Sequence, residues 1–393
     1  MKKFLVYDDE GEMQNRLCEK LRGLESLRDA FDIIPLEKDA FLHTMEILKT
    51  RQNAFRENGR WDGEKIPLDE TAFFVIDYDL LRNPLDSFLT GEAVAYLTRC
   101  FSTCGLIIGI NQPPLIDFVL TLQGRPASFA DLNITEKNLN NPGLWGGEWQ
   151  GFRPWYWPNL PGFWASFERR IADVKEALDA PIWEVLGFDR YTFDVLPRSI
   201  SDFLGSEPAE VTFREFVRKS GNALKVKDAK SDDCAPEVLS RVAAARISKW
   251  LERLVLPGQD ILVDAPHLVS RFPSLISGDA GDIGAWNTTA RLGSHDEAGL
   301  DAGIIEEYRL KNHHWLSRPV WFWDGLRSCE RIQEVREPWT VQMPDWVFCE
   351  DASAFDDRDK TASFVAETES PYSRRSVRRF AGYDYRPFAR FSA

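Results

Sequence analysis

Phe4-Leu5-Val6-Tyr7-Asp8-Asp9-Glu10 lies near the start of the sequence and changes abruptly from apolar to acidic residues. Four apolar residues in a row are typical of a strand that is buried on both faces, as the strands of a parallel sheet are. The acids end the apolar run after four residues, which is too short for the core of a secretory signal. The stretch therefore predicts a central parallel strand that is followed directly by carboxylates.

Three further apolar runs predict strands that pair with the first one. They cover residues 31–34, 72–76 and 105–110. Between the runs, apolar residues recur at helical spacing, from Met13 to Leu24, from Phe41 to Phe55 and from Ala93 to Phe101. Strands that alternate with helices form parallel sheets with helices on both faces. Residues 1–140 are therefore expected to fold as a doubly wound α/β domain.

Three acids directly follow two of these strands. Asp8 and Asp9 come after the first strand, and Asp77 comes after the third. Functional side chains of a parallel sheet gather at the carboxyl ends of its strands, and neighbouring strands lie about 5 Å apart. Converging carboxylates repel one another unless a cation lies among them, and Mg²⁺ prefers such oxygen ligands. The alternative is that these acids only cap strands and helices, as Asp often does.

Four segments together resemble the receiver domains of response regulators. Phe4-Leu5-Val6-Tyr7-Asp8-Asp9-Glu10 is similar to the first strand and acidic pair of that family, and Phe73-Phe74-Val75-Ile76-Asp77 to its third strand and phosphoacceptor. Residues 91–99 resemble the third helix, which opens with Gly, and residues 130–137 resemble the segment at the fifth strand that ends in Lys. The resemblance covers about residues 1–140 and implies a five-stranded, flavodoxin-like sheet.

The resemblance also implies a role for each matched residue. Asp8, Asp9 and Asp77 would hold Mg²⁺, and Asp77 would accept a phosphoryl group from a histidine kinase or a phosphotransfer protein. Lys137 would contact that phosphoryl group. The hydroxyl residue that receivers carry after the fourth strand is replaced by Asn111, which would hydrogen-bond a phosphoryl oxygen instead. Two readings stay open: an atypical receiver that is phosphorylated, or a pseudo-receiver that serves as a scaffold or binding protein without phosphorylation.

An enzyme is a further alternative. Asp77 and Asp79 are two positions apart after a buried strand, so both carboxylates would lie on one face and reach one divalent ion. This pattern would suit a Mg²⁺-dependent enzyme that cleaves phosphoryl groups. No P-loop, no dinucleotide-binding glycine motif and no nucleophile elbow occurs in the sequence.

The remainder of the chain matches no family that we recognise. Residues 141–164 contain five Trp among Gly and Pro, which predicts an irregular segment packed between domains. Apolar stripes at 167–178 and 238–254 predict helices, with a weaker one at 304–315, so 165–370 are expected to form a mainly helical effector or interaction domain, with a possible protein partner. Residues 371–393 form a tail that contains six Arg and several aromatic residues, expected to dock on the acidic body. The alternatives are that it binds single-stranded nucleic acid, which this composition also suits, or that it docks a partner.

Composition narrows the possible partners and the compartment. The formal net charge is −14, which disfavours nucleic-acid binding. The six Cys form no Cys-x-x-Cys pair, which is typical of a reducing, cytoplasmic setting. No apolar run is long enough to span a membrane. The five His show no metal-ligand spacing and are expected to have structural roles.

Overall fold

The structure is a computed structural model. It describes residues 1–61, 63–80, 89–110, 127–146, 159–194, 196–219, 235–256, 261–271, 276, 279–292, 307–326, 345–365 and 374–379. Among the helices in these ranges, none combines the length and the apolar character that a membrane crossing needs.

The first part of the chain forms a five-stranded sheet in which every pair of neighbouring strands is parallel. Its strands are β1 (Lys2–Tyr7), β2 (Phe31–Pro35), β3 (Thr71–Asp77), β4 (Leu106–Ile110) and β5 (Leu132–Ile134). Their order across the sheet is β2-β1-β3-β4-β5, which is a common doubly wound order. The predicted doubly wound α/β class is thus confirmed for this part of the chain.

Burial explains why these stretches form strands. All five residues of β4 and the first six of β3 are buried, so neither strand alternates between an apolar and a polar face. This is the pattern of strands that helices cover on both sides. Asp77 is the one residue of β3 that is not fully buried, and it lies at the carboxyl end of the strand.

Helices cover both faces of the sheet. Their bounds are α1 (Gly11–Arg22), α2 (Glu25–Arg28), α3 (Lys38–Asn58), α4 (Gly91–Phe101), α5 (Glu136–Leu139) and α6 (Leu160–Glu176). α3 packs on α4, whereas α2 and α6 both contact the 3-10 helix Pro142–Trp145. The chain passes from β1 to β2 in one direction and crosses back from β2 to β3 in the other. Right-handed crossovers therefore place α1 and α3 on opposite faces.

Two of the five Trp in segment 141–164 are described, and both pack against the sheet. Trp145 is buried against Phe4 and Phe73, with ring centroids 5.3 Å from each. The Trp164 ring lies under the ammonium group of Lys2, 3.7 Å from its centroid. Trp149, Trp155 and Trp157 lie outside the described residues. α6 begins at Leu160, earlier than the apolar stripe predicted, because the Asn159 side chain caps its amino end.

A second group of helices follows α6 along the chain. Their bounds are α7 (Ile182–Leu186), α8 (Arg190–Asp194), α9 (Arg198–Ser201), α10 (Phe213–Lys219), α11 (Pro236–Trp250), α12 (Ala265–Arg271) and α13 (Ala280–Leu292), followed by a short helix at Trp323–Leu326. α11 contacts both α6 and α4, so it joins this group to the sheet. A π-helical turn, Leu251–Val255, continues α11.

The structure does not show a mainly helical second domain. Its last described part is a four-stranded sheet of β8 (Trp346–Cys349), β9 (Ala354–Asp357), β10 (Ala362–Val365) and β11 (Arg374–Val377), in the order β10-β11-β8-β9. A separate antiparallel pair joins β6 (Leu262–Val263) to β7 (Trp321–Phe322). Of the predicted helix at 304–315, Glu307 is helical and residues 304–306 lie outside the described residues, but the helix does not continue: Arg309 forms a β-bridge with Trp321, and His313–Trp315 forms a 3-10 turn.

The tail is described only from residue 374 to residue 379. It forms β11, which lies between β10 and β8. The Arg378 Nε atom is 2.6 Å from a carboxylate oxygen of Asp356, and the backbone N–H groups of Arg378 and Arg379 donate to the buried Asp351. The described residues of the tail therefore contact acids.

Apolar side chains of the α/β part and of the later helices form one continuous buried cluster. Cys18, Cys100, Cys104 and Cys349 are free thiols buried in the protein. Burial raises the pKa of each of them, to about 11 for Cys18 and about 12 for Cys104. The domain boundary near residue 140 stays a prediction.

Candidate functional site

The three acids that the sequence singles out meet at the carboxyl edge of the sheet. β1 and β3 are neighbours, and Tyr7 lies opposite Ile76 in their register. Asp8, which follows Tyr7, therefore comes level with Asp77 at the end of β3. The connections after β1 and β3 run to opposite sides of the sheet at this point. Ligands of open α/β sheets bind in the crevice that such a switch point creates.

Asp8, Asp9 and Asp77, which we call the acid trio, converge closely. Each residue offers one carboxylate oxygen, and the three oxygens all lie within 4.8 Å of one another. Asp8 is only 8% exposed, whereas the other two are half-buried. Among the residues that the structure describes, this is the only group of three or more acidic, His or Cys side chains with such geometry.

The electrostatics of the trio favour a bound proton or cation. Burial and the neighbouring charge of Asp8 raise the pKa of Asp77 to about 7, and the charge of Asp9 adds to this. Hydrogen bonds from the backbone N–H groups of Asp79 and Tyr78 oppose the rise only in part. At neutral pH the Asp77 carboxyl group is therefore only partly ionised, unlike an ordinary aspartate.

Asp8 has a similar but weaker perturbation. Burial is the main cause that raises its pKa, and the charges of Asp9 and Glu10 act in the same direction. The backbone N–H of Glu10 donates to Asp8 Oδ1 at 2.8 Å, and the positive charge of Arg16 also lowers the pKa. The hydrogen bond from Glu10 fixes the side chain of Asp8 at the end of β1.

A glycine makes the close packing around Asp77 possible. The Gly91 N–H donates to the Tyr78 carbonyl at 3.0 Å, so the first residue of α4 lies directly on the end of β3. A Cβ atom on Gly91 would come within 2.5 Å of the Asp77 carbonyl oxygen and 2.6 Å of Tyr78 Cα. Because both contacts are to backbone atoms, any larger residue would push the strand end and α4 apart.

A fourth acid at the same edge of the sheet is matched by cations. Glu136 begins α5 just after β5, and its carboxylate lies 2.8 Å from Arg16 and 2.7 Å from Lys20, both on α1. These contacts lower the pKa of Glu136 although partial burial alone would raise it. Arg16 and Lys20 therefore link α1 to the start of α5, next to the end of β5.

The other predicted site residues are placed less completely. Lys137 lies on α5, where the structure describes its backbone but not its side chain. Asn111 lies outside the described residues. Asp79 is exposed and is not a member of the trio, although its backbone N–H bonds to Asp77. The structure thus brings together the three predicted metal ligands.

The donor set of the trio fits a hard divalent cation. Three carboxylates within reach of one point supply oxygen ligands, and their partial exposure leaves room for water. A bound cation would also relieve the mutual repulsion that raises the pKa of Asp77. Mg²⁺ is the cation that the sequence predicts, and the geometry alone does not distinguish it from other hard divalent ions.

Sequence reasoning did not single out Glu92, which follows Gly91. Its carboxylate accepts hydrogen bonds from the Ser128 hydroxyl at 2.7 Å and the Phe129 N–H at 2.6 Å. An acid in the first turn of a helix is common because it complements the helix dipole. The sequence therefore holds no signal that separates Glu92 from an ordinary helix-start acid.

One described histidine outside the sheet has structural partners. His314 contacts the carboxylate of Asp173, which also accepts a hydrogen bond from Trp315 Nε1 at 2.9 Å. His314 is 8% exposed and its backbone carbonyl accepts from the buried Arg170. These contacts tie α6 to the turn His313–Trp315, which agrees with the structural role predicted for the histidines.

Comparisons with known proteins identify no relative of this chain. A scan against protein-family models, a search of curated proteins and a search of solved structures each return no match. The functional assignment therefore depends on the geometry of the acid trio and on its position in the sheet.

Proposed function

We propose that residues 1–140 act as a receiver-like signalling module. The acid trio holds a divalent cation, and Asp77 accepts a phosphoryl group from a histidine kinase or a phosphotransfer protein. The later helices and the second sheet would relay this change to an output or to a protein partner.

The observation that carries the proposal is the convergence of Asp8, Asp9 and Asp77 at the β1–β3 switch point. Their oxygens lie within 4.8 Å of one another at the place where ligands of this sheet order bind. Acids that only cap strands would have no reason to meet so closely, because their mutual repulsion is unfavourable. The position of Asp77 at the end of β3 also agrees with its resemblance to the phosphoacceptor of receivers.

The proposed step needs Asp77 in its ionised form. A carboxylate oxygen of Asp77 attacks the phosphorus atom, the new O–P bond forms, and the bond from phosphorus to the donor breaks, with its electron pair leaving on the donor. With acetyl phosphate as the donor, acetate leaves and an acyl phosphate remains on Asp77. A divalent cation supplies charge neutralisation for the phosphoryl oxygens. Asp8 and Asp9 orient that cation, and the N–H groups of Tyr78 and Asp79 orient the Asp77 carboxylate.

Intact-mass measurement with acetyl phosphate and Mg²⁺ tests the proposal. The wild-type chain is expected to gain the mass of one phosphoryl group only when Mg²⁺ is present. Asp77→Asn keeps the shape of the side chain and removes the nucleophile, so this gain should disappear. A gain that persists in Asp77→Asn would place the phosphoryl group elsewhere.

Asp79→Asn is the matched control, because Asp79 is two residues away and exposed. This variant is expected to keep nearly all of the mass gain. If Asp79→Asn loses the gain as completely as Asp77→Asn does, the alternative of a Mg²⁺-dependent enzyme that uses Asp77 and Asp79 becomes the better assignment. If the wild type binds Mg²⁺ and never gains mass, the module is a pseudo-receiver that works as a scaffold.

A further inference from the structure

Helix α11, from the second half of the chain, reaches the edge strand of the first sheet. The side chain of Lys249 is 5% exposed, and its ammonium group donates to the carbonyl of Ser128 at 2.9 Å and to the carbonyl of Ala130. The guanidinium group of Arg246, also on α11, lies 5.6 Å from the centre of the Phe129 ring. Residues 128–130, which lead into β5, are thus held by two cations of α11.

Glu92 binds the same turn through other atoms. Its two carboxylate oxygens accept from Ser128 Oγ and from the Phe129 N–H, at 2.7 and 2.6 Å. The turn therefore bonds both to a buried ammonium group on α11 and to a carboxylate on the first turn of α4. The negative charge of Glu92 is also one of the groups that favour the charged form of Lys249.

The first turn of α4 in turn fits tightly against the end of β3. Gly91 donates its N–H to the Tyr78 carbonyl, and even a Cβ atom would overlap the backbone of Asp77. Three contacts follow one another here: Gly91 with the end of β3, Glu92 with the turn, and the turn with Lys249. All three are at hydrogen-bond or van der Waals distance. The turn, the first turn of α4 and the strand end that carries Asp77 are therefore in direct contact, one after the other.

We propose that Lys249 and Glu92 are positioning residues for Asp77: they hold the first turn of α4 against the end of β3, and the cation affinity of the acid trio depends on them although neither belongs to it. The inference rests on the proposed function of the trio as a cation site. It assigns part of that site's support to the second half of the chain.

The expected effect of removing Lys249 comes from the backbone carbonyls of the turn, which are shielded from water. Without the ammonium group of Lys249, the carbonyls of Ser128 and Ala130 lose their shared donor in a buried place, and the turn relaxes to satisfy them. Partners that orient metal ligands without touching the metal typically change metal affinity 10- to 100-fold when removed. Lys249 acts through more intervening contacts than such partners, so a change of roughly tenfold is expected.

The test measures the Kd of Mn²⁺ for the full chain by electron paramagnetic resonance. Lys249→Met is expected to weaken Mn²⁺ binding roughly tenfold while the chain stays folded by circular dichroism. Lys175→Met is the matched control: Lys175 of α6 also forms an ion pair with α11, through Glu237 at 3.0 Å, but does not touch the turn. The control should bind Mn²⁺ as the wild type does.

Variants of Glu92 keep the test valid if Lys249→Met fails to fold. Glu92→Ala should weaken Mn²⁺ binding as Lys249→Met does. Glu92→Gln should restore most of the affinity, because its amide can accept from the Phe129 N–H and donate to the Ser128 hydroxyl. The double variant Glu92→Ala/Lys249→Met should lose less than the product of the two single effects, since both residues act through one turn.

Unchanged Mn²⁺ affinity in folded Lys249→Met and in Glu92→Ala would overturn the inference. A second measurement, hydrogen exchange at the Gly91 amide without metal, tests the positioning role independently of the proposed function. A wild type that binds no Mn²⁺ would contradict the proposed function and, with it, the claim about cation affinity, but not the positioning of α4. In that event, faster Gly91 exchange in Glu92→Ala, but not in Glu92→Gln or Lys175→Met, would support the positioning role, and equal exchange in all variants would overturn it.

Discussion

The two ends of strand β3 carry aspartates with opposite electrostatic surroundings. Asp69 lies in the 3-10 turn Pro67–Glu70 just before the strand, and Asp77 ends it. Both residues are half-buried. The pKa of Asp69 is nevertheless lowered, whereas that of Asp77 is raised to about 7.

The neighbours of the two residues explain the difference. Burial alone would raise the pKa of Asp69, but Arg51 contacts both of its carboxylate oxygens, at 3.0 and 2.7 Å, and the N–H groups of Ile66 and Thr103 also donate to it. Asp77 faces Asp8 and Asp9 instead. A buried acid with matched donors contributes to stability, and one that faces other acids lowers stability until a ligand or a proton arrives.

The largest effect on stability is expected when the ion pair of Asp69 with Arg51 is removed. Asp69→Asn removes the countercharge of Arg51, which is only 2% exposed, so the free energy of unfolding should fall by about 3–5 kcal/mol. Urea denaturation at neutral pH measures it. Glu70→Gln is the control, because Glu70 pairs with Lys3 in solvent and should show no measurable change. Equal losses for both variants would mean that the pairing of Asp69 is not what matters.

At the other end of β3, replacing the aspartate is expected to increase stability. Because the folded-state pKa of Asp77 is raised, its ionisation lowers stability progressively as the pH rises from about 4 to about 7. Asp77→Asn should therefore stabilise the protein by about 2 kcal/mol at about pH 8 and change little at about pH 4. Urea denaturation at the two pH values measures this. A loss of stability at both values would show that Asp77 has favourable partners that outweigh the trio.

A divalent cation should offset the unfavourable effect of the acid trio on the free energy of unfolding. Mg²⁺ at roughly ten times its Kd is expected to stabilise the wild type by about 1.4 kcal/mol at neutral pH, because it binds only the folded trio. Thermal unfolding with and without Mg²⁺ measures the shift. Most of it should be absent in Asp8→Asn and present in Asp69→Glu, if the latter folds. The same shift in Asp8→Asn would locate the cation outside the trio.

The smallest effect on stability is expected at Glu136, which allows an acid paired with cations and one that faces other acids to be compared at the same edge of the sheet. Glu136 lies at the carboxyl edge like Asp77 but is matched by Arg16 and Lys20. Glu136→Gln should cost only about 0.5 kcal/mol, and less at high salt, because both cations are half exposed. Chemical denaturation at two salt concentrations measures it. A stabilising effect would indicate that position at this edge, rather than pairing, makes an acid unfavourable.

Much of the α/β part could be predicted because its physics is local. The strands β1, β3 and β4 each contain an unbroken apolar run, and apolar residues recur at helical spacing between them. Acids that directly follow such strands must lie at the carboxyl edge, but the meeting of Asp8, Asp9 and Asp77 also requires β1 and β3 to be neighbours, which the apolar runs do not specify. β5 has only three residues and was located by resemblance rather than by pattern.

The rest could not be predicted because its partners are distant or its pattern is weak. β9 ends in two acids and β11 begins with two arginines, so neither has the apolar run that identifies a buried strand. Lys249 and Ala130 are 119 positions apart, and nothing near either residue indicates the contact. Such a contact depends on how α11 packs, which a single sequence does not encode in a readable pattern.

The place of β11 has a consequence for the order in which the second sheet can form during synthesis. β11 is the last of its four strands along the chain, yet it lies inside the sheet, antiparallel to β10 and parallel to β8. The β8–β9 hairpin can pair as soon as it is made, but β10 waits for residues 374–377. Until they arrive, β8 presents an open edge to other molecules, so a chain that stops before residue 374 is expected to aggregate through that edge.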